Sequence, residues 1–265
     1  MRRGRRRGVY LLPSLLTIGN LLCGVYAIVA VYNDDYTRSA AAILVALILD
    51  GLDGAVARLT GSQSDFGVQL DSLADLVSFG VAPAILSYAW AIKPYSQIGW
   101  LFGSIIPTAL FVSSGAFRLA RFNVQTRTLD KRYFVGLPIP AAAAVIASFV
   151  LFLREWPSLI LFQRELISRR FTSALMVVIV YALSFLMVSR LRYRSLKEIE
   201  MKKRQPFTLL IGLTLVVLLI ASEPSMVVFS FFSLYALSGV VRAIPLVKRQ
   251  VPEPMEHVTG GEGRT

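Results

Sequence analysis

Apolar runs of roughly 17 to 25 residues, the length that crosses a bilayer as a helix, alternate along this chain with short stretches dense in arginine, lysine and small polar residues. The runs predict eight spans, near 10–32, 38–59, 72–92, 97–121, 138–153, 171–190, 206–222 and 225–244, the fifth being the shortest. The opening "RRGRRRGVYLLPSLLTIGNLLCGVYAIVAVY" has the basic start of a secretory leader. It lacks a small-residue cleavage site and its apolar run is long enough to span, so it is expected to be the first helix rather than a leader or a twin-arginine export signal. The expected fold is all-α, a polytopic integral membrane helical bundle of about eight transmembrane helices.

Composition agrees with the pattern. Of 265 residues 55% are hydrophobic and only 17% charged, too apolar for an ordinary soluble domain of this size. The net charge of +12 comes from 28 basic residues gathered at span ends, as in "RRGRRRG", "RLARFNVQTRTLDKR" and "SRLRYRSLKEIEMKKRQ". With the N-terminus in the cytoplasm, only Arg38, Lys93, Arg154, Arg164, Arg169 and Arg170 fall outside, so the positive-inside rule predicts an N-in, C-in topology. That use of the charge leaves no nucleic-acid partner to explain. The loop "REWPSLILFQRELISRR" carries four of the outside arginines; either it lies as an interfacial helix on anionic headgroups, or the fifth span is misplaced. Cys23 is the lone cysteine, which rules out a disulfide framework or a cysteine metal site. His257 sits in a polar tail and is expected to be solvated.

Acidic charge is distributed differently. Five of the eight aspartates lie between positions 50 and 75, at the predicted end of span two and start of span three. Intramembrane carboxylates are functional candidates by default. Asp50 and Asp53 are three apart and Asp71 and Asp75 four apart, so on helices each pair presents one face. The polar "TGSQSDFG" between them is short enough to make the spans antiparallel neighbours, so that four carboxylates can converge on the cytoplasmic side. Unpaired they would repel; divalent cations relieve that, and an oxygen-only donor set suits Mg²⁺, Mn²⁺ or Ca²⁺. Two such ions form the usual clamp for in-line phosphoryl displacement. Gly54 and Ala57 lie one turn beyond the first pair, where small side chains admit a bulky ligand, and Arg58 offers a bidentate donor to a phosphate oxygen. Close helix packing would also explain the small residues. Salt bridges to Arg58, Arg118 or Arg121, or a proton path, would also explain the aspartates.

Written out, Asp50-x2-Asp53-Gly54-x2-Ala57-Arg58-x8-Gly67-x3-Asp71-x3-Asp75 has eight specified positions across 26 residues, and it resembles the signature of the CDP-alcohol phosphotransferase family. The resemblance implies a membrane enzyme that splits a CDP-linked lipid or alcohol, passes its phosphate-bearing part to a hydroxyl acceptor and releases CMP. It implies that Asp50, Asp53, Asp71 and Asp75 hold two divalent ions, Mg²⁺ or Mn²⁺, with Asp75 also the general base. Asp53, Gly54, Ala57, Arg58 and Gly67 would meet the CDP-lipid, Arg58 at the diphosphate. Pro13, Thr17 and Asn20 resemble the family's first-helix motif, Pro-x3-Thr-x2-Asn, and would place Thr17 and Asn20 beside the nucleotide; a polar pair bonding between helices would look the same.

The segments "FRLARFN" and "YFVGLPIPAAA" are similar to the branch of the family whose acceptor is serine, which makes CDP-diacylglycerol and L-serine the implied substrates and phosphatidylserine and CMP the implied products. Serine carries a carboxylate that Arg118 or Arg121 could clamp, with Asn123 adding hydrogen bonds; simple snorkelling would equally place these arginines. Glycerol 3-phosphate, inositol and choline are the rival acceptors, and a cation- or proton-coupled transporter is the rival class. The implied organisation is a basic segment 1–9, a catalytic membrane core 10–145, additional transmembrane helices 146–245 and a polar tail 246–265. Family members are commonly homodimers in the cytoplasmic membrane, so a homodimer surrounded by lipid, its site facing the cytoplasm, is the implied state.

Overall fold

A computed structural model of the protein describes residues 11–61, 64–93, 105–125, 133–155, 169–194 and 224–243. They form seven helices: α1 (Leu11–Tyr32), α2 (Tyr36–Thr60), α3 (Asp65–Ile92), α4 (Ile106–Gln125), α5 (Ile139–Glu155), α6 (Arg169–Val188) and α7 (Pro224–Ala243). Strands β1 (Tyr133–Val135) and β2 (Arg192–Arg194) pair antiparallel, Tyr133 opposite Arg194. Four helices are long and apolar enough to cross a membrane by length and composition, so the protein is an integral membrane helical bundle, with this short ribbon as its one sheet among the described residues. The predicted span 206–222, the basic segment 1–9, the polar tail with His257, and most of the arginine-bearing loop after α5 lie outside the described residues.

Local chemistry sets the helix ends. Asp35 caps α2 by accepting from the Arg38 amide at 3.0 Å, and Gly61 closes it in the left-handed conformation, φ 61°, which glycine adopts without Cβ strain. Ser64 caps α3 by accepting from the Gly67 amide at 3.0 Å. The third span therefore begins at Asp65, not near 72 as the apolar run suggests. Its first turns, "DFGVQL", are too polar to register as a lipid-crossing run, and the hydroxyl cap starts them as helix. Within α3 two π-helical stretches, Leu76–Val81 and Tyr88–Ile92, interrupt the α-helical turns. The fourth span is also shifted, to Ile106–Gln125 from an expected 97–121; residues 94–104 lie outside the described set.

The short fifth span is a helix, and it is the centre of the bundle. Positions 141–150, "AAAAVIASFV", are buried all round, the mark of a helix enclosed by protein. Alanine at four successive positions lets α2, α6 and α7 approach it. Phe149 meets Trp90 edge-on at 6.2 Å and Phe229 at 5.5 Å, and Phe152 stacks on Phe229 at 5.5 Å.

From α1 to α6 the helices alternate in direction, which brings the starts of α1, α3 and α5 to the same end as the finishes of α2, α4 and α6. Hydrogen bonds at that end tie Thr17 to Asp53, Asn20 to Asp75 and Asn123 to Ser72. The β1–β2 ribbon sits there too, continued by Gly136 N–H donating to the Leu191 carbonyl at 2.8 Å and Leu137 N–H to the Leu186 carbonyl at 3.0 Å. At the other end Arg154 donates to Thr37 and Ser173 to the Ala91 carbonyl.

Candidate active site

The aspartates converge as their spacing predicts. One carboxylate oxygen each from Asp50, Asp53 and Asp71 lies within 4.8 Å of the others. Asp75, 8% exposed, stands one turn along α3 within electrostatic range of Asp50 and Asp71. Two of the four are held from α1: Thr17 Oγ1 donates to Asp53 Oδ2 at 2.9 Å, and Asn20 Nδ2 to Asp75 Oδ1 at 3.3 Å. Thr17 and Asn20 thus stand against the carboxylates, and Asn20 is fully buried. Among the described residues no arginine nitrogen lies within ion-pair distance of Asp53, Asp71 or Asp75, and Arg118 stands within electrostatic range of Asp75.

The donor set fits a divalent cation. It is oxygen-only, it brings like charges together where water is scarce, and the buried Asp71 Oδ1 has no hydrogen-bond donor. A hard cation satisfies all three conditions.

Beside the carboxylates opens a cleft of about 250 Å³, lined on α1 by Pro13, Ser14 and Thr17, on α2 by Asp53, Gly54, Ala57 and Arg58, and on α3 by Ser64, Gly67, Val68 and Asp71. Two glycines form part of its wall. A Cβ at Gly54 would stand 3.5 Å from Arg58 Nη1, and one at Gly67 3.2 Å from Ser64 Oγ. Arg58 is exposed at the rim and makes no hydrogen bond or ion pair among the described residues. Ser14, Ser64 and Val68 are lining residues that the motif does not specify; for Ser64 the readable signal is its capping position three residues before Gly67.

The α4 residues divide. Arg118 is 8% exposed, within electrostatic range of Asp75 and Asp50 and also of Tyr235 on α7, with its guanidinium 5.8 Å from the Phe122 ring centre. Its buried Nε has no acceptor. Asn123 Nδ2 donates to Ser72 Oγ at 2.9 Å, next to Asp71. Arg121 goes elsewhere: it donates to the carbonyls of Val188, Met187 and Ser189 at 3.1, 3.4 and 3.5 Å. Those are orphan carbonyls at the C-terminal end of α6, where a cation is favoured. A three-residue step leaves Arg121 about 60° round the helix from Arg118, enough to face α6 rather than the carboxylates. Of the two arginines that could clamp an acceptor carboxylate, Arg118 lies towards the aspartates and Arg121 against the end of α6. Tyr235 has no sequence signal at all, being more than a hundred residues from "FRLARFN".

Comparison with known proteins converges on one group. A sequence model described as CDP-alcohol phosphatidyltransferase matches residues 10–168. The chain is 36% identical over 239 residues to the CDP-diacylglycerol–serine O-phosphatidyltransferase of Helicobacter pylori strain J99, covering 90% of this chain and 93% of that one. It is 31% identical over 187 residues to the Bacillus subtilis protein of the same name, covering 71% and 92%. Over 142 residues it is 42% identical to the archaetidylserine synthase of Methanothermobacter thermautotrophicus, covering 53% and 58%.

Proposed function

Because the chain belongs to the CDP-alcohol phosphatidyltransferase family, we propose that it transfers the phosphatidyl group of CDP-diacylglycerol to the hydroxyl of L-serine, giving phosphatidylserine and CMP. The observation that carries this reading is the convergence of Asp50, Asp53 and Asp71 beside a cleft bordered by Gly54, Ala57 and Arg58. Serine as acceptor follows the relatives that bear its name, three of which this chain matches along nearly their whole length.

The donor lipid enters sideways from the inner leaflet, its acyl chains remaining among apolar helix faces and its diphosphate in the cleft. Asp50, Asp53, Asp71 and Asp75 would hold two Mg²⁺ or Mn²⁺ ions, which when bound neutralise the diphosphate and stabilise the oxygens of an in-line displacement. Thr17 and Asn20 orient two of those carboxylates. Arg118, with a buried Nε lacking an acceptor, pairs with the serine carboxylate, and Asn123 supports it from the next turn. Asp75 takes the hydroxyl proton. The serine oxygen bonds to the phosphorus that bears diacylglycerol, the bond from that phosphorus to the bridging oxygen breaks, and CMP leaves with that oxygen while Arg58 meets its charge. The signature's fixed positions offer no Ser, Cys or His for a phosphatidyl-enzyme, which favours direct attack. Holding the reactants in line supplies much of the acceleration. The protein works as a homodimer in the cytoplasmic membrane, N-in and C-in, with this end of the bundle facing the cytoplasm; residues 10–145 form the catalytic core and 146–245 the additional helices.

Purified protein with CDP-diacylglycerol and Mn²⁺ or Mg²⁺ should release CMP with serine and not with glycerol 3-phosphate, inositol or choline. Release that does not depend on serine overturns the acceptor. Arg118→Gln should raise the serine KM about tenfold or more, the scale of a lost charge-assisted hydrogen bond, while the CDP-diacylglycerol KM stays within about twofold. Gly54→Val should reverse the pattern, because its branched side chain occupies the cleft and pushes on Arg58. A CDP-diacylglycerol KM about tenfold higher is expected there, equivalent to ~1.4 kcal/mol; an unchanged value removes the cleft from donor binding.

A further inference from the structure

We propose that Ser78 is a positioning residue for Asp75, acting through Asn20. The inference rests on the reading of Asp75 as a ligand and base, and names a residue outside the signature. Among the described residues the Asn20 amide is the hydrogen-bond donor to Asp75, so where that amide sits decides where the carboxylate sits. Asn20 is gripped a second time: its main-chain carbonyl accepts from Ser78 Oγ at 2.9 Å. Ser78 is fully buried and lies one turn beyond Asp75, inside the π-helical stretch Leu76–Val81. The helix that carries the carboxylate therefore also holds the backbone of the residue that orients it. The ring runs from Asp75 through the Asn20 amide and carbonyl to Ser78, and back along α3.

The approach that closes this ring is specific. A Cβ at Gly24, one turn beyond Asn20, would stand 2.7 Å from Ser78 Cα, so α1 and α3 meet backbone to backbone only because residue 24 has no side chain. The wide π turn places Ser78 on the α1 side, and π turns recur at functional sites. A hydroxyl that served packing alone could return its proton to its own helix, as Ser148 does to the Ala144 carbonyl. Ser78 spends it on the neighbouring helix, at the residue whose amide hydrogen-bonds Asp75. Displacements of an ångström in such groups cost about 100-fold in rate, and partners that orient ligating groups typically account for about 10- to 100-fold.

The test is a double-mutant cycle on the full chain, with kcat, both KM values and, without substrates, Mn²⁺ binding by electron paramagnetic resonance. Ser78→Ala is expected to lower kcat about tenfold and to weaken Mn²⁺ binding about threefold or more, with each KM within about twofold. In an Asn20→Ala background the same change should cost nothing further in kcat or Mn²⁺ binding, because the amide it orients is gone. A kcat for Ser78→Ala within about twofold of wild type, or losses that multiply in the double variant, overturns the proposal and leaves Ser78 a packing residue. Should Ser78→Ala not fold, Ser78→Cys, which keeps the shape with a slightly larger atom but donates weakly, takes its place in the cycle with the same criteria. Should the wild-type protein use another alcohol, the acceptor assignment fails and the cycle is read with that alcohol. Should it transfer nothing, the Mn²⁺ arm alone decides.

Discussion

Asp75→Asn is expected to lower CMP release by about a thousandfold or more, the upper range for loss of a general base with a ligating role, while CDP-diacylglycerol still binds. The asparagine is isosteric, and its carbonyl oxygen can still accept from Asn20 Nδ2, so the contact that holds α1 to α3 at this point survives. What is lost is the capacity to take the acceptor's proton and one anionic ligand. The cleft is lined by Asp53, Arg58 and Asp71 and not by Asp75, which is why donor binding and turnover should separate. CMP release from labelled CDP-diacylglycerol, set beside the ligand's shift of the melting midpoint, reads both. Turnover near the wild-type rate would remove Asp75 from the base role.

Gly136→Ala should have the largest effect on stability. Gly136 has φ of +85°, a left-handed conformation that costs a residue with a Cβ about 1–2 kcal/mol. The added carbon would also stand 2.6 Å from Arg121 Nη2 and 3.2 Å from the Met187 carbonyl carbon. It would displace the guanidinium that caps α6, at the place where the β1–β2 ribbon and α5 begin. A loss of about 3 kcal/mol is expected, seen as a melting midpoint lower by roughly 6–12 °C in detergent. Gly51→Ala is the control: it sits in α2 with open space around its Cβ and should be neutral or stabilising by up to ~1 kcal/mol. Equal midpoints for the two variants would mean that the tie between Arg121, Gly136 and Met187 is not formed.

The parts of this molecule legible in the sequence are those whose physics is local. Carboxylates three and four apart on helices joined by a short turn have few ways to avoid one another, so Asp50, Asp53, Asp71 and Asp75 could be grouped from spacing alone. Apolar run length located the helices for the same reason, and failed where a helix begins outside the lipid-like stretch, as at Ser64 and Asp65. What was illegible depends on distant partners. Arg118 and Arg121 are the same residue type in the same short segment, and only the end of α6, more than sixty residues on, separates their contacts. The π turn that presents Ser78 to α1 leaves no mark in hydrophobic periodicity. The close approach at Gly24 is a property of two helices together, and glycine in a membrane helix has many other uses.

The central placement of α5 bears on how the chain is made. Its Phe149 and Phe152 face is covered by Phe229 of α7, which the ribosome reaches only after synthesising residues 156–223. At about 5–20 residues per second, that aromatic face waits on the order of ten seconds for its own cover. During that interval lipid, or an insertion factor, must occupy the place that α7 will take.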